Sequence, residues 1–431
     1  MFQPQWEAMS REKLEAVQVE RLNAVLSKVH ERVPLYRSRF DESGVRPQVA
    51  TLDDVTSLPF TVKDDLRSQY PYGMFAVPRR DIVRVHASSG TTGQITVVGY
   101  TRTDIDNWAD LMARTFASAG ATPDDVVQVA YGYGLFTGGL GAHYGSERLG
   151  ALTVPISGGN TKRQVQVLQD FGTTILACTP SYSLLLAETA EEMGVDITSL
   201  PLRAGVFGAE PWSENMRTQI EQKLSITAID IYGLSEVLGP GVASECSEQH
   251  GLHVNEDHFL IEIVDPETLR PVEDGTYGEV VFTTLTKEGI PVIRYRTRDI
   301  SRIIPGECPC GRVFRRMERV SGRTDDMLII RGVNVFPSQI EQVLTGIEGV
   351  APHYQVILGR KGSMDTVEVH VEVAPDTEFD EIRELEEMQR RVRSEIESAL
   401  AVSIGVRLVE PRSIERSEGK ARRVIDQRGD A

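Results

Sequence analysis

Apolar residues recur at near-helical spacing across residues 12–29, where Leu14, Val17, Leu22, Val25 and Leu26 stand among charges. The first eighty residues therefore predict mostly helix and connecting loops. From Ile82 onward the period changes. Short β-prone runs at 126–129, 173–176 and 228–231 alternate with longer helix-like stretches bounded by Gly and Pro. One of these, 163–171, follows Ser157-Gly158-Gly159, and another, 213–224, follows Pro211. Strand and helix in alternation predict an α/β architecture on a largely parallel sheet. From Phe259 the pattern turns strand-rich, with 259–264, a turn at Asp274-Gly275, and 278–283.

Past Gly322-Arg323-Thr324-Asp325-Asp326 the pattern reads strand 327–330, turn 331–332, helix 337–345, strand 353–358, hairpin 361–362, strand 366–373, helix 380–401 and strand 406–409. That compact α+β pattern is the size of a separate domain. The expected division is residues 1–324 and residues 325–431.

Composition narrows the class. Of 431 residues 40% are apolar and 25% charged, which excludes a disordered chain, and four cysteines exclude a disulfide-built scaffold. The 46 Lys and Arg against 63 Asp and Glu give a net charge of −17. Neither nucleic acid nor an anionic membrane is an expected partner, because both need a basic face. Residues 1–11 hold no continuous apolar stretch, and no apolar run reaches the roughly 18 residues that span a bilayer. A cytoplasmic enzyme is the expected class.

Ser88-Ser89-Gly90-Thr91-Thr92-Gly93 carries the first chemistry. Backbone N–H groups and hydroxyls in such a loop can wrap polyphosphate oxygens, although the Gly-Lys-Ser/Thr ending of a Walker loop is missing. Tyr232-Gly233-Leu234-Ser235-Glu236 sets a hydroxyl and a carboxylate just past an apolar strand, where open parallel sheets bind ligands. Gly208-Ala209-Glu210-Pro211 follows the apolar 204–207 in the same way. Tyr295-Arg296-Thr297-Arg298-Asp299 closes a strand-rich segment, and Ser417-Glu418-Gly419-Lys420 offers a flexible ammonium.

In order and spacing, the stretches 88–93, 232–236, 295–299, 322–326 and 419–420 resemble the signature motifs of the adenylate-forming acyl-CoA synthetases. Tyr131-Gly132-Tyr133-Gly134-Leu135-Phe136-Thr137-Gly138-Gly139, the run 291–299 and the run 331–337 are similar to the phenylacetate-CoA ligase branch. The resemblance implies an α/β fold: a large, multi-subdomain N-terminal adenylate-forming domain with a small mobile α+β C-terminal domain. It implies that ATP and an aromatic acid, phenylacetate foremost, form an acyl-adenylate that passes to coenzyme A (CoA). An anthranilate- or benzoate-type acid, delivered to CoA or a carrier-protein thiol, is the alternative.

By the same resemblance Ser88, Ser89, Gly90, Thr91, Thr92 and Gly93 would cradle the β- and γ-phosphates. Ser235 would bond the α-phosphate and Glu236 would bind Mg²⁺. Gly208, Ala209 and Glu210 would form the adenine slot with Tyr232 and Gly233. Asp299 would hold the ribose, with Arg323 beside it. Lys420 would bridge the carboxylate and the α-phosphate, Asp325 would be the hinge, and Tyr131, Tyr133, Phe136, Gly208 and Ile231 would shape the acyl pocket. Gln94 departs from the family, which usually has Lys there, so weaker pyrophosphate holding is expected. A homodimer is expected from the resemblance alone.

Three of the four cysteines suggest a further site. Cys308-Pro309-Cys310 with Cys246 and one imidazole, His253 or His250, could bind structural zinc tetrahedrally. The resemblance favours His253. Cys178 reads as a small buried residue, and His86 and His258 read as structural.

Overall fold

Residues 1–88, 95–324, 328–330, 333–361, 364–374, 382–400, 404–417 and 421–427 are described by a computed structural model. Among them the largest sheet has nine strands. Leu152–Val154, Val126–Val129, Ile175–Cys178, Ala204–Gly208 and Thr227–Leu234 lie side by side in that order, each parallel to its neighbour. Ile175, Leu176, Ala177 and Cys178 are all wholly buried, as a parallel strand covered on both faces requires. The expected strand 173–176 begins two residues later. Thr174 instead closes the preceding loop, its hydroxyl donating to Asp125 Oδ1 (2.7 Å) and accepting from the Val126 amide (3.0 Å).

Chain order reverses between Val126–Val129 and Ile175–Cys178, the topological switch point at which open α/β sheets bind ligands. Beyond Thr227–Leu234 the sheet continues antiparallel through Gly239–Ser244, Leu252–Val254, Arg316–Met317 and Ile303–Ile304. A second, antiparallel sheet orders Phe259–Val264, Gly278–Thr284, Tyr295–Ser301 and Gly322–Arg323, and its register sets Asp299 opposite Arg323. The hairpin Arg84–Ser88 with Thr96–Tyr100 brings Ser88 opposite Thr96. The long N-terminal helix, Arg11–Arg32, buries Leu14, Leu22, Val25, Leu26 and Val29 on one face. Among the described residues no helix is long and apolar enough to cross a membrane.

Residues 335–406 carry a core of their own, in which Val335, Ile340, Val356, Val369, Val392 and Ile396 pack together. Their sheet orders Gly405–Val409, Met364–Val373, Val350–Lys361 and Val424–Asp426, flanked by the helices Pro337–Leu344 and Ile382–Leu400. This unit docks on the larger one through polar contacts. The Ser213 amide donates to Glu341 Oε1 (3.2 Å), Asn215 donates to the Gln342 carbonyl (2.9 Å), and His353 meets Glu188 at 3.0 Å.

A buried polar network fixes the turn after Leu252–Val254. Arg114 bonds Asp257 through both guanidinium nitrogens at 2.8 Å, and both side chains are buried. His258 lies 3.3 Å from the same carboxylate and 2.7 Å from the Thr286 hydroxyl. Burial pulls its imidazole down to about 4, because the carboxylate's charge is already shared with Arg114 and Arg21. Unfolded chains take up that proton near the ordinary 6.5, so the stabilisation is complete above pH 6.5 and is lost as pH falls toward 4. In that window His258 should contribute a slope of about 1.4 kcal/mol per pH unit. Denaturant midpoints measured from pH 7 to 5 should flatten by that amount in His258→Gln; an unchanged slope would refute the assignment.

Candidate active site

The carboxyl ends of the central parallel strands and the second sheet carry those residues of the expected ATP site that are described. Strand Ala204–Gly208 ends against its neighbour so tightly that a Cβ on Gly208 would lie 2.4 Å from the Ile231 carbonyl, so only glycine fits. Ala209 then takes a left-handed φ of 72°, a conformation that costs a non-glycine residue about 1 kcal/mol or more and that clusters at functional sites. Glu210 follows. Its Oε1 accepts the Ser181 amide (2.8 Å) and hydroxyl (2.5 Å), both at the start of the helix Pro180–Glu192 beside the switch point.

Thr227–Leu234 delivers the next group. The Tyr232 hydroxyl donates to Asp299 Oδ2 at 2.5 Å, and its ring stacks on Phe282. Burial and the adjacent Asp299 charge raise the phenol well above its ordinary value, so it remains a donor. Arg323 reaches the other Asp299 oxygen at 3.5 Å. Gly233 passes so close to the Gly239 carbonyl that a Cβ there would sit 1.9 Å from it.

Ser235 and Glu236 follow, both buried. Thr137 Oγ1 lies 3.2 Å from the Ser235 hydroxyl. Glu236 Oε1 accepts from the Ser88 hydroxyl (3.3 Å) and pairs with the Lys63 ammonium (3.2 Å). Lys63 is absent from the expectations above. It stands alone in the sequence at the start of the helix Lys63–Ser68, and only the fold carries it to Glu236. Thr137 does fall inside the aromatic motif 131–139, but without any mark that singles it out.

The residues expected to shape the acyl pocket divide. Gly208 pairs with Ile231 on neighbouring strands, and Tyr131, just past Val126–Val129, is buried with its hydroxyl donating to the Val206 carbonyl (3.3 Å). Tyr133 is half-buried against His143, whereas Phe136 is 45% exposed. Ser89, Gly90, Thr91, Thr92, Gly93 and Gln94, Asp325, the expected hinge, and Lys420 lie outside the described residues. Their flanks are described: Ser88 points to Glu236, and the Ala421 amide donates to Glu210 Oε2 at 2.9 Å.

A second cluster lies at the antiparallel end of the nine-stranded sheet. The donor atoms of Cys246, His253, Cys308 and Cys310 all fall within 4.8 Å of one another. Cys246 and Cys308 Sγ are 3.7 Å apart, and Cys310 Sγ is 3.4 Å from His253 Nε2. A tetrahedron with zinc–sulfur bonds of about 2.3 Å has sulfur–sulfur edges of about 3.8 Å, so the set fits the ion. The Phe314 carbonyl lies 3.3 Å from His253 Nδ1, leaving Nε2 directed at the thiols. Burial pulls His253 down to about 4 and, with the neighbouring thiols, pushes Cys246 up to about 12. The imidazole is therefore neutral, as a ligand must be, and a dication would reverse the shift at sulfur. His250 is not part of the cluster.

The hairpin that flanks the 88–93 motif, the strand-end hydroxyl and carboxylate groups and the buried tyrosine–aspartate pair between the two sheets fit the class of adenylate-forming enzymes. Residues 12–285 match the family of AMP-binding enzymes, and residues 332–428 match the AMP-binding enzyme C-terminal domain. The phenylacetate-coenzyme A ligase of Escherichia coli (strain K12) is 52% identical over 98% of this chain and 97% of its own. That of Thermus thermophilus is 49% identical over 99% of this chain and 100% of its own. Solved structures of 2-hydroxyisobutyryl-CoA ligase are 30 to 31% identical over 99% of this chain and 92% of theirs. In the postadenylation state, with 2-HIB-AMP, that ligase gives a TM-score of 0.93; in the thioesterification state the score is 0.73. The chain belongs to the phenylacetate-coenzyme A ligase family, and it is an AMP-forming acid–thiol ligase.

Proposed function

We propose that this enzyme activates phenylacetate with ATP and transfers the acyl group to CoA. The observation that carries the reading is identity near 50%, spread over 98 to 99% of the chain, with four phenylacetate-coenzyme A ligases. In the first half-reaction a carboxylate oxygen attacks the α-phosphorus and the bond to the β-phosphate oxygen breaks, releasing pyrophosphate. In the second, the CoA thiolate attacks the acyl carbon and AMP leaves with the electrons of the carbon–oxygen bond.

Each residue has a task that its setting supports. Asp299, already accepting from Tyr232, has acceptor capacity left for ribose hydroxyls, and Arg323 steadies its charge. Tyr232, Gly233, Gly208 and Ala209 wall the adenine slot. Ser235 donates toward the α-phosphate while Lys63 and Ser88 face the leaving pyrophosphate. Lys420 bridges the carboxylate and the α-phosphate. Glu236, a buried oxygen donor, suits a hard dication, and it would hold Mg²⁺, which neutralises phosphate charge when bound. Tyr131, Tyr133, Phe136, Gly208 and Ile231 shape the acyl pocket. Cys246, His253, Cys308 and Cys310 would hold zinc in a purely structural role.

The proposal extends to a boundary at residues 324/325 with Asp325 as hinge, to a homodimer and to a cytoplasmic setting. Pyrophosphate release with a panel of aromatic acids, with and without CoA, tests the central reading. Phenylacetate should give the highest kcat/KM, with phenylacetyl-CoA formed in equal amount to AMP. Preference for another acid, or release only with a carrier-protein thiol, would overturn it.

A further inference from the structure

Glu210 falls in the stretch expected to form the adenine slot, yet its carboxylate is already committed elsewhere. One oxygen accepts both the amide and the hydroxyl of Ser181, which fixes the side chain from within the larger unit. The other oxygen accepts the Ala421 amide at 2.9 Å, across the junction with the C-terminal unit. Ala421 is covalently next to Lys420. Ala209, the residue before it, has a left-handed φ of 72°.

Among the described docking contacts, this one reaches closest along the chain to Lys420. Ser213 and Asn215 hold the helix Pro337–Leu344, and Glu188 holds His353. Two residues further on, Arg423 pairs with Glu341 at 3.4 Å, and the strand Val424–Asp426 then joins Val350–Lys361. The segment leaving Lys420 is thus tied at 421 to the ATP-binding unit and from 423 onward to its own unit.

We infer that Glu210 is a positioning residue: its carboxylate clasps the Ala421 amide and so fixes the point of the chain next to Lys420 for adenylation, letting go before thioester formation. The inference rests on the adenylating role proposed for Lys420. The arrangement in which the clasp is closed resembles the postadenylation form of the solved ligase more than its thioesterification form, with TM-scores of 0.93 and 0.73. A fixed anchor on one oxygen and a releasable donor on the other suit a contact made in only one half of a cycle.

Two variants of the full-length enzyme, Glu210→Ala and Glu210→Gln, test it. Glu210→Ala should slow single-turnover, CoA-independent pyrophosphate release by about ten- to a hundredfold, the range for one charge-assisted hydrogen bond. Thioester formation from supplied acyl-adenylate should stay within about twofold, and so should ATP affinity, because neither uses the clasp. Glu210→Gln, which keeps an acceptor, should fall between. Adding Glu210→Ala to Lys420→Ala should slow adenylation no further, since both act through one contact. Equal losses in both half-reactions, or a loss confined to ATP affinity, would overturn the inference. Hydrogen exchange of residues 421–424 without substrate separates this outcome from a failure of the proposed reaction. Glu210→Ala should speed that exchange by about tenfold or more whatever acid the enzyme uses, and unchanged exchange would refute the clasp.

Discussion

Replacing Asp299 with alanine should lower kcat/KM for ATP by about a thousandfold, the cost of removing one partner from a buried, charge-assisted set. Three losses coincide. The ribose loses the acceptor proposed for it, the Tyr232 hydroxyl loses its 2.5 Å partner, and Arg323 loses its counter-charge on a side chain that is only partly exposed. Unpaired buried donors are penalised more heavily than absent ones, because each is desolvated with nothing in return. Asp299→Asn keeps one oxygen for Tyr232 but gives up the charge and the second acceptor, so it should fall between alanine and the native enzyme. ATP-dependence of pyrophosphate release at saturating acid measures both. A change below tenfold in Asp299→Ala would remove this residue from the nucleotide site.

The Tyr232 and Asp299 motifs were legible in the sequence, but their bond was not. They stand 67 residues apart, and only the convergence of the two sheets joins them. The parallel strands were readable because full burial demands mainly apolar runs, as at 126–129 and 228–231, each of which carries a single polar residue, Gln128 and Asp230, both buried. The antiparallel continuation of the sheet was not. Gly239–Ser244 begins Gly-Pro-Gly, with φ of 121° at Gly239 and 93° at Gly241, a sequence that by itself reads as a turn.

Lys63 shows the same limit at one residue. A lone lysine beside two aspartates reads as surface charge, and nothing local tells that it will meet a carboxylate 173 positions later in the chain. Glu210 stands out in the sequence for a different reason from the one its contacts support. Its place after an apolar strand marked the region as a ligand site, while its two partners come from a helix start and from the far end of the chain. Thiols behave differently. They are few, and their chemistry restricts what they can do together, so Cys246, Cys308 and Cys310 could be grouped across 62 to 64 residues without a fold.

That grouping leads to the second large effect. Cys246 follows Gly239–Ser244 and His253 lies on Leu252–Val254, both inner antiparallel strands of the nine-stranded sheet, while Cys308 and Cys310 come from the loop between Ile303–Ile304 and Arg316–Met317, the sheet's last two strands. The register already pairs His253 with Arg316, so a bound zinc ion would rivet the loop to these inner strands. The N-terminus shares in this arrangement, because Glu7 bonds the Arg312 guanidinium at 2.7 Å and its carbonyl accepts the Val313 amide. Cys308→Ser should therefore lower the zinc content from one per chain to nearly none and reduce the thermal midpoint on the order of 5–10 °C. A strong chelator acting on the native enzyme should shift it in the same direction, with proteolytic cleavage appearing first in 305–315. Native protein prepared without chelator that carries no metal, or a Cys308→Ser variant with an unmoved midpoint, would leave the four side chains as a reduced thiol–imidazole cluster in the core.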